Sequence, residues 1–326
     1  METPTLEEVR AASSAIEPYL NQTPILNWRA PGLNAHLADT EVTLKLELFQ
    51  QSGSFKARGA LVNMLGLNAA ARARGVTAVS AGNHAIAVAW AASALGINAK
   101  VVMQSSANPA RVERARAFGA EVIIGGDGPS CFALVEKIVA EEGRTFVHPF
   151  EGKATATGTG TLGLEMVDQM GALDVVILPI GGGGLAGGIA TIIKALCPET
   201  KIIGVEPEGA DTMHRSFAAG SPLTISKVST IADSLAPPMA LPYSFGLCRD
   251  AVDELVMVDD DAICRAMLLI FNDLKLVVEP AAAVTTAAMT GPLRDRLRGK
   301  RVGMVVCGAN IDPSSHFQFL SRALVQ

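Results

Sequence analysis

Short, mostly apolar runs recur along the chain at 42–48 (VTLKLEL), 76–80, 99–103 (AKVVM), 121–125 (EVIIG), 145–148, 175–180 (VVILPI), 201–206 (KIIGVE) and 301–306 (RVGMVV). Their apolar positions are continuous rather than alternating, the pattern of strands covered on both faces. Helix-length segments separate most of them, and strands joined by crossover helices pair in parallel, so the pattern predicts an α/β protein. The chain should open with a helix, because Thr5 and Glu8 make a capping box and Leu6, Val9 and Ile16 share one face ahead of Pro18. Asn108 followed by Pro109 reads as the cap and first-turn proline of another helix. Four closely spaced strand–helix units between about 75 and 150 predict a compact smaller lobe.

The 326 residues correspond to roughly two domains. A composition that is 49% hydrophobic and 18% charged excludes a disordered chain. The 27 basic residues are outnumbered by 32 acidic ones and are scattered, so no nucleic-acid partner is expected. Residues 175–193 carry no charge, but Pro179 and six glycines within 181–188 would break a lipid-exposed helix. A buried strand, a glycine loop and a helix explain the stretch, and no membrane partner is expected. Cysteines 131, 197, 248, 264 and 307 form no CxxC pair, which argues against a zinc site or a disulfide framework. The acidic N-terminus, METPTLEEVR, is unlike a secretory signal, so a cytoplasmic protein is expected.

Four local constellations carry candidate chemistry. Strand-like VVILPI runs into Gly181, Gly182, Gly183, Gly184 and Leu185 ahead of a helical segment, where converging backbone N–H groups and a helix N-terminus suit a phosphate. Residues 182–187 also match GxGxxG, with Glu206 nineteen positions on, so an NAD-dependent oxidoreductase is the rival reading. Lys56 stands alone in the small-residue and apolar setting SGSFKARGA, where partial shielding would lower its pKa and make it a nucleophile or base. The turn Ser80-Ala81-Gly82-Asn83-His84 offers hydroxyl, amide and backbone donors to a carboxylate. Cys307 in VCGAN closes a strand with a small S–H group.

Together these four elements resemble the fold-type II pyridoxal-phosphate enzymes, and among them the serine/threonine dehydratase and serine racemase family. Further similarity lies in TGTLGLE (159–165), Val205-Glu206-Pro207 and Val278-Glu279-Pro280-Ala281, so it spans about 22 to 312. The resemblance implies a large cofactor-binding domain of 1–48 and 149–326, a small domain of 49–148 that closes over the substrate, and an active site in the cleft between them. Each domain would be a mostly parallel sheet flanked by helices. It also implies pyridoxal 5′-phosphate as cofactor, with Lys56 as the Schiff-base lysine and proton acceptor, Phe55 under the ring and Asn83 on the phenolic oxygen. Gly181, Gly182, Gly183, Gly184 and Leu185 would hold the phosphate. Glu279 would lie beside the cofactor, and Cys307 would face the pyridine nitrogen. Ser80, Ala81, Gly82, Asn83 and His84 would bind the substrate.

The implied activity is that of an ammonia-lyase, eliminating water from a β-hydroxy amino acid such as L-threonine or L-serine to leave a 2-keto acid and ammonia. A neutral Cys307 partner would make the ring a weaker electron sink, which favours elimination. Serine racemase is the alternative activity, and Ala81 replaces the second serine of the racemase branch. The family's divalent-cation site maps onto Glu206, the Ala210 carbonyl and Thr212, where an acid is usual, so a magnesium ion is left open. Thr159 replaces the usual Gln. The loop SLAPPMALPYSFG (234–246) is more apolar than in related dehydratases and points to substrates other than threonine, among them phenylserine, 3-hydroxyaspartate or a hydroxyectoine-derived compound. Tyr243 and Phe245 are candidates to line a roomier pocket, and Lys153 or Arg249 to hold a β-carboxylate. A homodimer is the family expectation.

Overall fold

A computed structural model describes residues 2–37 and 39–325. Ten strands form two sheets: β1 (Ile25–Asn27), β2 (Glu41–Lys45), β3 (Val76–Val79), β4 (Ala99–Met103), β5 (Glu121–Ile124), β6 (Thr145–Phe146), β7 (Val175–Pro179), β8 (Lys201–Pro207), β9 (Glu254–Val258) and β10 (Arg301–Val305). The larger sheet has the order β1-β2-β10-β7-β8-β9 and the smaller the order β5-β4-β3-β6. Every pairing is parallel except β1 with β2. The predicted strands at 42–48 and 145–148 are shorter than expected, because the chain turns into a 3-10 helix at Glu47–Phe49 and leaves the sheet after Phe146. Two edge strands, β1 and β9, were not foreseen. The first has three residues, and the second reads ELVMV with only its last residue fully buried.

One core packs around the larger sheet, from Trp28 and Leu44 through Ile177 and Ile203 to Val305. The smaller sheet buries one face with Leu61, Met64, Val101 and Met103, and the other with Val79, Val102, Val135 and Ile138. The capping box forms as predicted, with the Glu8 N–H donating to Thr5 Oγ1 at 3.1 Å and the Thr5 N–H donating to Glu8 Oε2 at 2.8 Å. Asn108 caps the helix Pro109–Ala117. The uncharged stretch 175–193 divides into β7 and part of the helix Gly184–Leu196, and no described helix is long and apolar enough to cross a membrane.

Candidate active site

The carboxyl ends of β3, β7 and β10 open onto one cavity of about 230 Å³ between the two sheets. This is where open α/β sheets bind ligands, since loops leaving adjacent parallel strands diverge there. Lys56, the Ser80–His84 turn, the glycine loop, Glu279 and Cys307 all line it, although they lie far apart in the chain.

Lys56 begins the helix Lys56–Leu65. The preceding loop is stitched to the end of β10: the Phe55 N–H donates to the Cys307 carbonyl at 3.1 Å and the Ala309 N–H to the Gly53 carbonyl at 3.1 Å. Ser52 and Gly53 take left-handed backbone conformations, at φ 62° and 75°, to make this turn. Behind it, Arg58 grips Glu47 with two nitrogens at 2.8 Å and reaches Glu165 at 2.7 Å, while Lys45 lies 2.6 Å from Glu165. The four charges balance, and this network anchors the helix that carries Lys56. The Lys56 amine donates to the Pro149 carbonyl. Burial brings it down to about 8, against the opposing pull of Cys307 and Glu279.

The glycine loop has no room for side chains. A Cβ on Gly182 would lie 2.2 Å from the Phe150 ring, one on Gly184 2.5 Å from the Phe150 carbonyl, and one on Gly181 2.9 Å from Leu235 Cα. Gly183 adopts φ 90°, and no side chain caps the helix Gly184–Leu196. Its first N–H groups therefore have no side-chain cap, and Gly183, Gly184 and Leu185 line the cavity, a donor set that fits a phosphate. Thr159, at the unusual position, donates its hydroxyl to the Gly184 carbonyl at 2.7 Å and steadies the loop.

The second turn is held just as firmly. Asn83 donates to Glu279 Oε1 at 2.6 Å and accepts from Asn310 at 2.7 Å. His84 Nε2 meets the Val147 carbonyl at 2.7 Å, and burial, with the nearby Lys56 charge, lowers its pKa to about 3, so the ring is a neutral donor to that carbonyl. Glu279 is raised to about 7 by burial, against the lowering effect of Arg111, and its Oε2 has no hydrogen-bond partner. Burial, with Glu279 adding to it, pushes the Cys307 thiol well above its ordinary range and keeps it an uncharged S–H. A buried amine, a glycine loop at an uncapped helix start and an uncharged thiol on one cavity fit what pyridoxal phosphate requires.

The residues mapped to a divalent cation do not assemble one. Glu206 is fully buried and accepts the N–H groups of Met213 and His214, each at 2.7 Å, capping the start of the helix Thr212–Ala219. His214 Nδ1 lies 3.2 Å from it. The Thr212 hydroxyl donates to the Pro237 carbonyl at 3.1 Å, Ala210 brings no further acid, and no cluster of three ligating side chains exists among the described residues. The same contacts leave Glu206 unsuited to the ribose contact of the dinucleotide reading.

Other expectations divide. Ser234 to Met239 of the apolar loop line the cavity, but Tyr243 and Phe245 do not: the Tyr243 hydroxyl bonds the Glu2 carbonyl, and Phe245 is buried against Phe217. Lys153 pairs with Glu2 and Glu8, and Arg249 lies over Phe245, so neither reaches the cavity. Sequence reasoning missed Arg111, Asp233, Gln104, Phe132 and Phe150, all of which line it. Arg111 binds Asp233 at 2.5 Å and the Asn310 carbonyl at 2.7 Å. Nothing in NPARVERARAFG separates Arg111 from Arg114 and Arg116 except its burial in the fold.

A family model for "Pyridoxal-phosphate dependent enzyme" matches residues 16–308. The chain is 50% identical over 321 residues to the phenylserine dehydratase of Ralstonia pickettii, covering 97% of this chain and 96% of the relative. It is 37% identical to the beta-hydroxyaspartate dehydratase of Paracoccus denitrificans, covering 96% and 98%. Among solved structures it superposes on maize serine racemase with a TM-score of 0.91 at 33% identity, covering 99% of both chains. With cavity, glycine loop and lysine in agreement, the chain belongs to the pyridoxal-phosphate dependent enzyme family and is a lyase of its dehydratase branch.

Proposed function

We propose that this lyase removes water from a β-hydroxy amino acid whose side chain is uncharged and aromatic, of the phenylserine type, and that the resulting enamine tautomerises and takes up water to release a 2-keto acid and ammonia. The observation that carries the reading is the cavity lining, which includes Pro129, Phe132, Pro237, Pro238 and Met239 and in which the one described lysine or arginine besides Lys56, Arg111, is spent on Asp233. A β-carboxylate there would lack a free fixed cation, which argues against 3-hydroxyaspartate. The 50% identity to a phenylserine dehydratase supports the same choice.

The chain's residues divide the work. Gly181 to Leu185 would hold the phosphate through backbone N–H groups, Phe55 would lie under the ring, and Asn83, fixed by Glu279 and Asn310, would meet the phenolic oxygen. When bound, pyridoxal phosphate supplies the carbonyl carbon that takes the substrate amine and the conjugated system that spreads the electron pair left at Cα. Lys56 takes the Cα proton at Nζ. An amine near pKa 8 is matched to that task at neutral pH. Cys307 would present an S–H and no charge to the pyridine nitrogen, which would favour prompt loss of the β-hydroxyl. Ser80 and the adjacent N–H groups hold the substrate carboxylate. Ala81 brings only a methyl group, so no acid/base side chain stands at that position and racemisation is disfavoured. We read 49–148 as the lobe that closes over substrate. A cytoplasmic homodimer completes the reading, and the exposed Phe317 and Leu324 of the last helix support a surface for a second copy.

The test is a visible absorption scan of the purified protein with phenylserine, threonine, serine and 3-hydroxyaspartate, with keto acid and ammonia assayed. A yellow protein that turns over phenylserine best is expected. Lys56→Ala should lower turnover about 10²- to 10⁴-fold, the usual contribution of a positioned acid/base group, while the protein stays folded. Full turnover in that variant would remove Lys56 from the mechanism.

A further inference from the structure

The cofactor end of the cavity and the Ser80–His84 turn leave a third region without a role. Gln104, Gly128, Pro129 and Phe132 contribute its lining from the smaller lobe, and Ala236 to Met239 line the same cavity from the other lobe. Phe132 lies in the helix Gly128–Glu142, whose core-facing stripe is Cys131, Val135 and Ile138. Phe132 packs against that core yet stays partly exposed and lines the cavity, so its side chain is only partly spent on the core. Asp127 fixes the start of the helix by accepting the Ser130 N–H at 3.0 Å.

From behind, the ring is held by other rings. Phe146 meets it edge-on with centroids 6.4 Å apart, and His148 lies 6.2 Å away. His148 in turn meets Phe150 at 4.7 Å, and Phe150 packs on the glycine loop. A continuous aromatic row thus links the phosphate cradle to the outer slot. His148 Nδ1 accepts the Phe150 and Glu151 N–H groups at 3.3 and 3.0 Å, which fixes its tautomer. Its pKa is held down at about 4 by burial and the Lys56 charge, so the row carries no charge at neutral pH.

We infer that Phe132 is the specificity-determining residue of this enzyme: its ring forms the wall of a slot, closed on the other side by Pro237, Pro238 and Met239, that receives an aryl group borne on the substrate Cβ. The inference rests on the function proposed above and adds the residue that enforces it. An aryl group would stack on a pre-positioned ring and displace water from apolar walls, whereas the methyl of threonine would leave the slot wet.

Holoenzymes of the wild type, Phe132→Ala and Phe132→Leu would be compared for kcat/KM on phenylserine and on threonine. Binding of L-phenylalanine and L-alanine, which carry no β-hydroxyl, would be read from the cofactor absorption band. The wild type should prefer phenylserine. Phe132→Ala should lower kcat/KM for phenylserine about 10- to 100-fold, mainly through KM, and change threonine by less than about threefold, the range expected for a hydrophobic pocket contact. L-phenylalanine should weaken in parallel and L-alanine should not. Phe132→Leu, which keeps most of the volume, should fall between, and threonine turnover serves as the folding control. An unchanged phenylserine-to-threonine ratio in both variants overturns the inference and leaves the proposed function standing. Equal losses on both substrates make Phe132 structural and overturn it as well. A wild type that prefers threonine overturns both.

Discussion

Glu279 has one carboxylate oxygen on Asn83 and the other without a partner, and Arg111 stands 3.8 Å away. Burial without full pairing explains why its pKa is raised from 4.5 to about 7. The proton is then held more tightly in the folded state than in the unfolded one. The stability this group contributes is complete below about 4.5 and is lost as pH rises through about 7. Relative to Glu279→Gln, which cannot ionise, the cofactor-free wild type should therefore lose roughly 2–3 kcal/mol between about pH 5 and about pH 8. Urea unfolding of both proteins at the two pH values checks this, and a pH-independent difference between them would show that Glu279 titrates normally. Lys56 and Cys307 obey the same physics in opposite directions: burial favours the neutral form of each, lowering the amine and raising the thiol.

Among elements, the glycine loop shows most directly why its residues must be what they are. Its legibility was high because four consecutive glycines after an apolar strand are a local signal. The identity of what crowds the loop was not local. Phe150, about thirty residues upstream, fills the space that a Cβ on Gly182 would need, and Leu235 lies over Gly181. Gly182→Ala should drive the Phe150 ring from its place against His148, lowering stability by about 1–3 kcal/mol as other overpacked cores do. It should also weaken pyridoxal phosphate binding at least about tenfold, since each 1.4 kcal/mol is a factor of ten. Thermal unfolding and cofactor titration measure the two effects. Edge strands were the elements that pattern reading missed: β1 is too short to show a period, and β9 exposes part of its apolar row.

At the scale of the whole molecule, contacts join the two lobes beside the cavity. Arg111 reaches from the smaller lobe to Asp233 and to the Asn310 carbonyl, and Asn108 donates to Asp312 at 2.5 Å. The Arg111 guanidinium also packs on Gly82, where a Cβ would lie 2.9 Å from Nη1. Arg111→Ala should therefore loosen both the lobe contact and the Ser80–His84 turn, the proposed carboxylate site. A rise in KM of about tenfold with a smaller change in kcat is expected, along with about 1.5–3 kcal/mol of lost stability, the usual worth of hydrogen bonds to a charged group. Steady-state kinetics and urea unfolding test it, and an unchanged KM would mean that the lobes close without this contact. The sequence by itself determined the α/β class, the glycine loop, the lone lysine and the Ser80–His84 turn, because each is written in residues adjacent in the chain and governed by local backbone physics. Only the tertiary structure decided that Phe132, Arg111 and Asp233 line the cavity, that Tyr243 and Phe245 do not, and that Glu206 caps a helix. Those outcomes depend on which distant segments the two sheets bring together, 122 residues apart for Arg111 and Asp233, and no periodicity or motif encodes that distance.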